Sequence, residues 1–537
     1  MSPRRRVLVV GLDGATWDLL DPWLSRGALP TLARLISEGS ACRLQSTLPP
    51  VTSPAWPSFM TGKEPANHGV FDFFRVGAFR AAPRPGRVEL VDSTDIRSRL
   101  FWECLSGAGR SVGVLNVPVT YPPRPVNGYL IPGLPVPDEG IATYPPRVLQ
   151  PYANELGPYR TMPRLLYGPG NEAEFGDDLR DLTATQMAYA LRLCRDHPTD
   201  FMMVHFPATD VAQHKLWRHL DATHPWHVPA RARYGDIVRE LYVQIDAGLN
   251  ALSTAMPDAA VFVLSDHGFG PQTRTVNLNL HFAEHGLLTF VAGRRLRRWA
   301  WRRDWSTRVG QRLWGRERLL DWDDVDWRRT RAYALGHMGQ IWLNVPDRER
   351  ATARTEVAQA LRELKDPVTG GSLVDRLIWR EEAPGGTYAH EGPEAYVIMD
   401  GHRAPAYPML AGDGRVVTEQ RRGDSGHHRP EGILVGSGAG IRAGATLEGA
   451  RLIDVAPTIL HFMGVAVPDD LDGRVLHGLL EEFREVEYQP APAFEAAPRE
   501  LDEDLEARMA ARLRALGYLE GSTGVADRGS GSPPSGS

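Results

Sequence analysis

Aspartate and histidine side chains, which are common ligands of divalent metal ions, recur beside short apolar runs in this chain. They are Asp13 after residues 7–10, Asp210 and His214 after residues 201–206, Asp266 and His267 after residues 261–264, and His428 shortly before residues 433–435. Such apolar runs are typical of buried strands in a parallel sheet, and ligands bind beyond the carboxyl ends of those strands. Three carboxylates and three imidazoles would suit two divalent ions. The pattern therefore predicts a two-metal hydrolytic site.

A hydroxyl group could supply the nucleophile for that site. Thr52 precedes Ser53 and Pro54, and Pro54 is well placed as the first residue of a helix with Ser53 as its cap. Thr52 would then lie at a helix N-terminus, where backbone amides and the helix dipole favour an alkoxide and a bound phosphate. A metal ion on the same oxygen lowers the hydroxyl pKa further. Alone, Thr-Ser-Pro is an ordinary helix cap, so this assignment depends on the aspartates and histidines.

A sheet must position these side chains, and the sequence predicts one. Strands over residues 7–10, 112–117, 201–206, 261–264 and 433–435 alternate with helices over about 29–38, 178–195 and 230–256. This alternation is typical of parallel strands joined by right-handed crossovers. We therefore expect an α/β fold with a mostly parallel central sheet and helices on both faces. Dense prolines between residues 118 and 177 favour a surface loop there.

The alternation is interrupted after the strand at residue 261, which indicates an inserted region. We expect a catalytic core in two parts (1–286 and 420–484), an inserted cap (287–419), a helical extension (485–519) and a disordered Gly- and Ser-rich tail (520–537). Within the cap, residues 294–318 carry ten arginines and two acidic residues, with four interleaved tryptophans. Arginine and tryptophan together suit an anionic membrane surface or nucleic acid. An amphipathic helix packed on the domain is the favoured interpretation, peripheral membrane contact is the alternative, and nucleic acid is not expected.

The composition limits the cellular compartment and the kinds of partner that are expected for this protein. The chain has 537 residues and a net charge of -5, so any attraction to anionic partners must be local. Its three cysteines, Cys42, Cys104 and Cys194, lack the paired spacing of a disulfide framework or a thiolate zinc site. The first apolar run is too short for a signal peptide, and no run approaches the roughly 18 apolar residues of a spanning helix. These features predict a cytoplasmic protein.

Five motifs, in order along the chain, resemble those of the alkaline phosphatase superfamily. They are Val10-Gly-Leu-Asp13-Gly, the segment 52–69, the pair Asp210 and His214, the segment Ser265-Asp-His-Gly-Phe269, and Gly426-His-His-Arg-Pro-Glu-Gly432. Within that superfamily the chain is most similar to the type I phosphodiesterase and nucleotide pyrophosphatase branch, over most of residues 7–480. The resemblance implies an alkaline-phosphatase-like three-layer sandwich, with the inserted cap on its catalytic core.

The resemblance also implies a division of the ligands between two zinc ions, with manganese as the alternative metal. Asp210, His214 and His428 would hold one ion; Asp13, Asp266 and His267 would hold the other, with Thr52 as the nucleophile on it. The spacing of the residues agrees with this division. Asp210 and His214 are four residues apart and would share one face of a helix. Adjacent Asp266 and His267 can both turn inwards only at the end of a strand. His427 competes with His428, and the His-Arg-Pro pattern favours His428.

Three further residues are expected to have no part in catalysis. His205 lies inside an apolar strand and is expected to be a satisfied core histidine, whereas His68 fits a structural turn. Arg429 could reach a phosphate oxygen, but a surface position is favoured.

The implied activity is cleavage of phosphodiester or pyrophosphate bonds in a small phosphate ester or nucleotide-like molecule. It would proceed through a covalent phosphothreonine and two in-line displacements, with net retention at phosphorus. The nucleotide pyrophosphatase branch has an Asn shortly after the His-Gly turn that helps to bind a phosphoryl oxygen, whereas this chain has Gly69-Val-Phe-Asp-Phe-Phe74. Nucleotide specificity therefore does not follow. The alternatives are a phosphomonoesterase or phosphomutase of the same superfamily, or a membrane- or partner-binding protein with a vestigial metal site.

Overall fold

The computed structural model describes residues 5–75, 89–137, 141–168, 170–291, 322–407, 410, 415–418, 424–491, 494, 506, 508–510 and 513. The Arg- and Trp-rich segment 294–318 and the tail 520–537 lie outside these residues, as does part of the predicted extension 485–519. Among the described helices, none has the length and apolar character needed to cross a membrane.

The strands are numbered in chain order. They are β1 (Arg6–Leu12), β2 (Ser40–Gln45), β3 (Val112–Val117), β4 (Gly128–Pro132), β5 (Phe201–Phe206), β6 (Ala259–Leu264), β7 (Gly268–Pro271), β8 (Thr275–Val276), β9 (Ala332–Ala334), β10 (Gln340–Leu343), β11 (Val374–Trp379), β12 (Ala395–Met399), β13 (Val417–Thr418), β14 (Gly426–Arg429), β15 (Glu431–Ser437), β16 (Val467–Pro468) and β17 (Tyr488–Gln489).

The α-helices are numbered in the same way, and short 3₁₀ turns connect several of them. They are α1 (Trp17–Ser25), α2 (Pro30–Glu38), α3 (Thr52–Thr61), α4 (Pro65–His68), α5 (Phe101–Gly107), α6 (Ala153–Leu156), α7 (Glu172–Asp196), α8 (Ala208–Leu220), α9 (Asp236–Ala255), α10 (Leu278–Glu284), α11 (Asp347–Arg362) and α12 (Val455–Phe462).

The central sheet has seven strands in the order β2-β15-β6-β1-β5-β3-β4. Strand β1 pairs in parallel with β5 and β6, and β3 pairs in parallel with β4 and β5. Every residue of β3, β5 and β6 is buried, which explains why these strands are continuous apolar runs. The carboxyl ends of β1, β5 and β6 therefore lie side by side at one edge of the sheet.

Helices cover both faces of this sheet. Leu8 and Val10 of β1 belong to one hydrophobic core, with side chains from α1, α2, α7, α8 and α9. Val7 and Val9 belong to a second core, with side chains from α3, α5 and α12. Because successive strand residues point to opposite faces, one strand contributes to both cores. The predicted α/β architecture, with a mostly parallel sheet between helical layers, is confirmed.

Three details of the predicted sheet were wrong. Strand β15, which contains the run 433–435, is antiparallel to β6 and to β2 rather than parallel. Strand β4 lies within the proline-rich stretch 118–177 that was predicted to be a loop. It is an edge strand, and among the described residues its outer side is bridged at Leu130, by Tyr144, and is not paired with a further strand, so proline is tolerated there. The other edge strand, β2, was not predicted.

Smaller sheets flank the central one. Strands β11-β12-β10-β9 form a four-stranded antiparallel sheet within residues 322–407, inside the predicted insertion 287–419. Strands β7 and β14 form an antiparallel pair in which His428 lies opposite Phe269. This pair extends the chain beyond the carboxyl end of β6, which places β14 over the same edge of the central sheet.

Candidate metal centre

The edge formed by β1, β5 and β6 brings the predicted ligands together. Asp13 directly follows β1, and Asp266 and His267 lie in the loop that follows β6. Asp210 and His214 lie one turn apart on α8, the helix that follows β5. His428 comes from β14. Because β15 is antiparallel to β6, its first residue lies at this same edge. His428 therefore precedes β15 in the chain, whereas the other candidate ligands follow their strands.

Three of these residues form the first group of the metal centre, Asp210, His214 and His428. His428 Nε2 lies 3.0 Å from His214 Nε2 and 3.2 Å from Asp210 Oδ1, and His214 Nε2 lies 3.5 Å from the same oxygen. Tetrahedral ligands about 2.1 Å from a zinc ion lie about 3.4 Å from one another. The three ligand atoms therefore have the spacing of three corners around one such ion.

The second group consists of Asp13, Asp266 and His267. His267 Nε2 lies 3.5 Å from Asp13 Oδ1 and 3.3 Å from Asp266 Oδ2. Thr52 Oγ1 lies 3.5 Å from Asp13 Oδ1 and 3.3 Å from His267 Nε2. Asp266 Oδ2 is buried and receives no hydrogen bond from the described residues. A cation among these atoms would satisfy that oxygen, so the donor set fits a second divalent ion.

The imidazoles of both groups are held in the same way. His214 Nδ1 lies 3.0 Å from the Gly426 carbonyl oxygen, His428 Nδ1 3.0 Å from that of Pro50, and His267 Nδ1 3.1 Å from that of Gly268. A carbonyl can only accept, so each Nδ1 donates and each Nε2 keeps its lone pair for a metal ion. Burial is the main cause that lowers the pKa of all three rings to about 4, so they are neutral at pH 7.

The carboxylates of Asp13, Asp210 and Asp266 lie close enough together to affect one another's pKa. Burial, and then the charges of Asp13 and Asp210, raises the pKa of Asp266 well above its ordinary value. Burial also opposes ionisation of Asp13, but the hydrogen bond and charge of His205, with the charges of His267 and His428, outweigh it and lower the pKa of Asp13. Divalent cations would stabilise the ionised form of all these carboxylates.

Two side chains outside the predicted set hold Asp13. Its Oδ2 atom lies 2.9 Å from His205 Nε2 and accepts a hydrogen bond from Trp56 Nε1 at 3.3 Å. His205 was predicted to be a satisfied core histidine, but its Nδ1 has no hydrogen-bond partner among the described residues and its Nε2 contacts a candidate ligand. The available signal was a single histidine within the apolar run 201–206. Since β5 is aligned with β1, His205 lies beside Gly11, two residues before Asp13.

The start of α3 differs from the prediction. The helix begins at Thr52, after the extended residue Val51, so Pro54 is its third residue rather than its first. Ser53 does not cap the helix, and its buried hydroxyl has no hydrogen-bond partner among the described residues. Pro54 is accommodated because the first amides of a helix have no partner within it. Thr52 still lies at the helix N-terminus, as predicted.

The remaining candidates lie near the centre. His427 stacks on His428, with ring centroids 5.0 Å apart, but among the described residues no hydrogen-bond partner holds either of its ring nitrogens. Arg429 is half-buried rather than exposed; it donates to the carbonyl oxygens of Pro271, His402, His427 and His428 and supports β14. His68 is the last residue of α4 and is buried. Its Nε2 lies 2.9 Å from the Oγ atom of Ser58 on α3.

Comparison with known proteins identifies the family. A family model described as type I phosphodiesterase / nucleotide pyrophosphatase matches residues 7–433. No curated protein matches the chain.

The chain is also similar to solved structures at low identity. Phosphonoacetate hydrolase from Sinorhizobium meliloti 1021, in complex with phosphonoacetate, is 15% identical, with 86% of this chain and 96% of that chain covered and a TM-score of 0.48. Human and murine ectonucleotide pyrophosphatase / phosphodiesterase 5 are each 14% identical, with 89% of this chain and 100% of theirs covered and TM-scores of 0.48 and 0.49. The family match extends over most of the sequence and includes all the candidate ligands. The chain therefore belongs to the type I phosphodiesterase / nucleotide pyrophosphatase family and is a hydrolase acting on phosphoric ester bonds.

Proposed function

We propose that this protein cleaves phosphodiester or pyrophosphate bonds at a two-metal site, through a covalent phosphothreonine on Thr52. One observation carries the proposal: the buried Thr52 hydroxyl lies at the N-terminus of α3, within 3.5 Å of ligand atoms of the second group. A hydroxyl in that position is activated by a cation and by the helix N-terminus together. The substrate would be a small phosphate ester or a nucleotide-like molecule.

We propose that the first group, Asp210, His214 and His428, holds one divalent ion and that Asp13, Asp266 and His267 hold the other. Neutral imidazoles and carboxylates suit zinc, and manganese is the alternative. The carbonyl contact at Nδ1 favours His428 over His427 as the ligand, because His428 is fixed with its Nε2 beside Asp210. When bound, the two ions would lower the hydroxyl pKa and neutralise charge on the phosphoryl oxygens.

The residues of the chain then perform two displacements. Thr52 Oγ1 attacks phosphorus, an O–P bond forms to the threonine, and the bond to the leaving oxygen breaks. A water molecule next attacks the phosphothreonine from the side that the leaving group vacated, which restores the Thr52 hydroxyl and releases the phosphate product. The two inversions give net retention at phosphorus. Asp13 positions Thr52 from one side, and His205 and Trp56 position Asp13.

We place the protein in the cytoplasm as part of this proposal, which the three unpaired cysteines support. We also propose the division into a core of 1–286 and 420–484 with a cap of 287–419, a helical extension of 485–519 and a tail of 520–537. The four-stranded sheet β9–β12 supports a separate structural unit within the cap.

The test is hydrolysis of bis-p-nitrophenyl phosphate against p-nitrophenyl phosphate, with zinc or manganese supplied. We expect preference for the diester, and loss of at least about a thousandfold in kcat in Thr52→Ala with its metal content retained. Thr254→Ala removes an exposed helical threonine hydroxyl and should leave activity unchanged.

The proposal has three contrary outcomes, two in this assay and one in metal analysis of aspartate variants. Preference for the monoester would move the assignment to a phosphomonoesterase or phosphomutase. Absence of metal-dependent turnover of either compound would favour a binding protein with a vestigial site. Full metal occupancy in both Asp210→Asn and Asp266→Asn would overturn the ligand assignment.

A further inference from the structure

Helix α8 carries more than the two ligands that it contributes to the first group. Asp210 and His214 are four residues apart, and each directly follows a buried polar residue, Thr209 and Gln213 respectively. Residues four apart lie one turn apart on the same side of a helix, so these four side chains form two adjacent stripes. One stripe belongs to the first group, and the other contacts the loop that holds a ligand of the second group.

Thr209 and Gln213 bind consecutive carbonyl groups of that loop. The Thr209 hydroxyl donates to the Asp13 carbonyl oxygen at 2.7 Å, and Gln213 Nε2 donates to the Gly14 carbonyl oxygen at 3.0 Å. The same hydroxyl is 3.3 Å from the Phe206 carbonyl oxygen, so its closer contact is with Asp13. Both side chains are fully buried, and a buried hydrogen bond is costly to break because its partner is left unsatisfied.

Gly14 extends this connection to a second ligand. Its backbone N–H donates to Asp266 Oδ1 at 3.3 Å, while Asp266 Oδ2 lies beside His267. Gly14 has a φ of +66°, and a Cβ atom there would lie 2.8 Å from the Phe269 ring, so this turn has no room for a side chain. Helix α8 is therefore connected to Asp13 and to Asp266, although it supplies neither of them.

The position of the first turns of α8 thus affects both groups. These turns bear all four residues, and helix ends fray because their first amides have no partner within the helix. A divalent ion bound by Asp210 and His214 would fix these turns, and with them Thr209 and Gln213. The loop that carries Asp13 would then be ordered before its own ion binds, so binding of the second ion would cost less conformational entropy.

We propose that Thr209 and Gln213 couple the two metal groups, so that an ion held by the first group raises the affinity of the second group for its ion. Both are positioning residues that act through the backbone of Asp13 and Gly14. The coupling is reciprocal, because each ion must change the affinity of the other by the same factor. This inference rests on the proposed function, because it uses the proposed assignment of ligands to two ions.

Two other interactions act between the groups, and both can be separated from this coupling. The ring of His428 stacks on that of His267, with centroids 3.7 Å apart, and two divalent ions in neighbouring groups would repel each other. Neither interaction uses the hydrogen bonds of Thr209 and Gln213. A change in coupling when only those hydrogen bonds are removed therefore measures their contribution.

The test determines a coupling ratio from zinc binding, measured by competition with a chromophoric chelator. The overall association constant for two ions in the complete protein is divided by the product of two single-ion constants. One comes from Asp266→Asn, which keeps only the first group, and the other from Asp210→Asn, which keeps only the second. The ratio is then determined again with Thr209→Val or Gln213→Met added to all three proteins. We expect it to fall about 5- to 10-fold in either case, as for the loss of one buried hydrogen bond.

Each of these variants has a matched control on α7. Thr183→Val removes a buried hydroxyl that donates to the Leu179 carbonyl oxygen at 2.9 Å. Gln186→Met removes a buried amide that donates to the Arg160 carbonyl oxygen at 3.0 Å. Both controls lose the same kind of hydrogen bond as the test variants, and neither should change the coupling ratio.

A conservative variant distinguishes the hydroxyl of Thr209 from the volume of its side chain. Thr209→Ser keeps the hydroxyl and should retain the coupling ratio of the wild-type protein. Thr209→Ala and Gln213→Leu replace the Val and Met variants if those do not fold.

The inference and the proposed function fail differently. A complete protein that binds only one zinc ion overturns the two-ion assignment. Two bound ions with an unchanged coupling ratio in Thr209→Val and Gln213→Met overturn the inference alone, even if the affinity of the second group falls, since the two residues would then only support the loop. An equal fall in the two controls would also overturn it, because the loss of any buried hydrogen bond would then have the same effect.

Discussion

At the scale of single residues, Asp13 has a different environment at each carboxylate oxygen. Oδ1 faces Thr52 and His267, whereas Oδ2 contacts His205 and Trp56. Fixing one oxygen of a carboxylate orients the other, and such supporting contacts usually contribute to metal affinity. His205 therefore supports the candidate metal centre although it is not one of the predicted ligands.

We predict that His205→Phe weakens metal binding by about 10- to 100-fold at the second group, since Asp13 loses the hydrogen bond that orients it. The affinity for zinc is measured by competition with a chromophoric chelator. His281→Phe is the matched control, because His281 is a buried histidine whose Nε2 contacts the Ala360 carbonyl oxygen far along the chain. Equal zinc affinity in the two variants would mean that His205 only fills space.

The sequence indicated the candidate ligands better than it indicated the residues that support them. Asp13, Asp266 and His267 are visible because they directly follow apolar strands, and Asp210 and His214 because they are four apart. His205 was misjudged because its role depends on the pairing of β5 with β1, which local sequence does not specify. Arg429 was misjudged for the same kind of reason: its four carbonyl partners come from separate segments.

At the scale of elements, α8 and β14 must approach closely for His214 and His428 to meet. Gly426 permits this approach: a Cβ atom at this position would lie 2.5 Å from the Gln213 carbonyl oxygen and 2.8 Å from the Phe269 ring. The Ser425 backbone N–H donates to the His214 carbonyl oxygen at 2.6 Å, which ties the strand to the helix. The first metal group therefore depends on a helix–strand contact with no room for a side chain.

We predict that Gly426→Ala moves β14 away from α8 and lowers bound metal from two ions to one, because His428 and His214 separate. Metal analysis of the purified protein measures the stoichiometry, and thermal unfolding measures the loss of stability, about 1–3 kcal/mol for an overpacked site. Gly107→Ala is the control, since a Cβ at Gly107 meets no atom within 4 Å. Two retained ions in Gly426→Ala would show that the strand and helix can separate without opening the site.

Element types were predicted more accurately than strand directions. Apolar runs located β3, β5 and β6 because those strands are buried on both faces. The direction of β15 depends on its chain connection from β14, and a short apolar run is the same in either direction. The edge strand β4 was missed because flanking prolines resemble loop composition, although only one side of an edge strand requires hydrogen bonds.

At the scale of the whole molecule, the candidate metal centre joins segments that are distant in sequence. Asp13 and Asp266 come from the core before the inserted sheet, and His428 comes from the core after it. Asp72 and His337 add a contact between the core and the inserted sheet itself. Ions bound at the centre would therefore link most of the native structure.

We predict that removal of the ions with a chelator lowers the temperature of unfolding. Ligands that bind only the native state stabilise it, by about 2.7 kcal/mol for each ion at a concentration one hundred times its Kd. Without the ions, the three carboxylates of Asp13, Asp210 and Asp266 remain buried close to one another, which is unfavourable when they are ionised. Calorimetry with and without chelator measures the shift, and added zinc or manganese should reverse it.

Asp210→Asn provides the matched comparison for this measurement. It removes one buried charge and one ligand of the first group, so we expect its unfolding temperature to respond to chelator about half as strongly as that of the wild-type protein. An equal response in both proteins would mean that only the second group binds a stabilising ion. No response in the wild-type protein, once analysis confirms that the metal has been removed, would mean that the buried carboxylates are accommodated by protonation. The raised pKa of Asp266, caused mainly by burial, favours protonation of that carboxylate once the metal is removed.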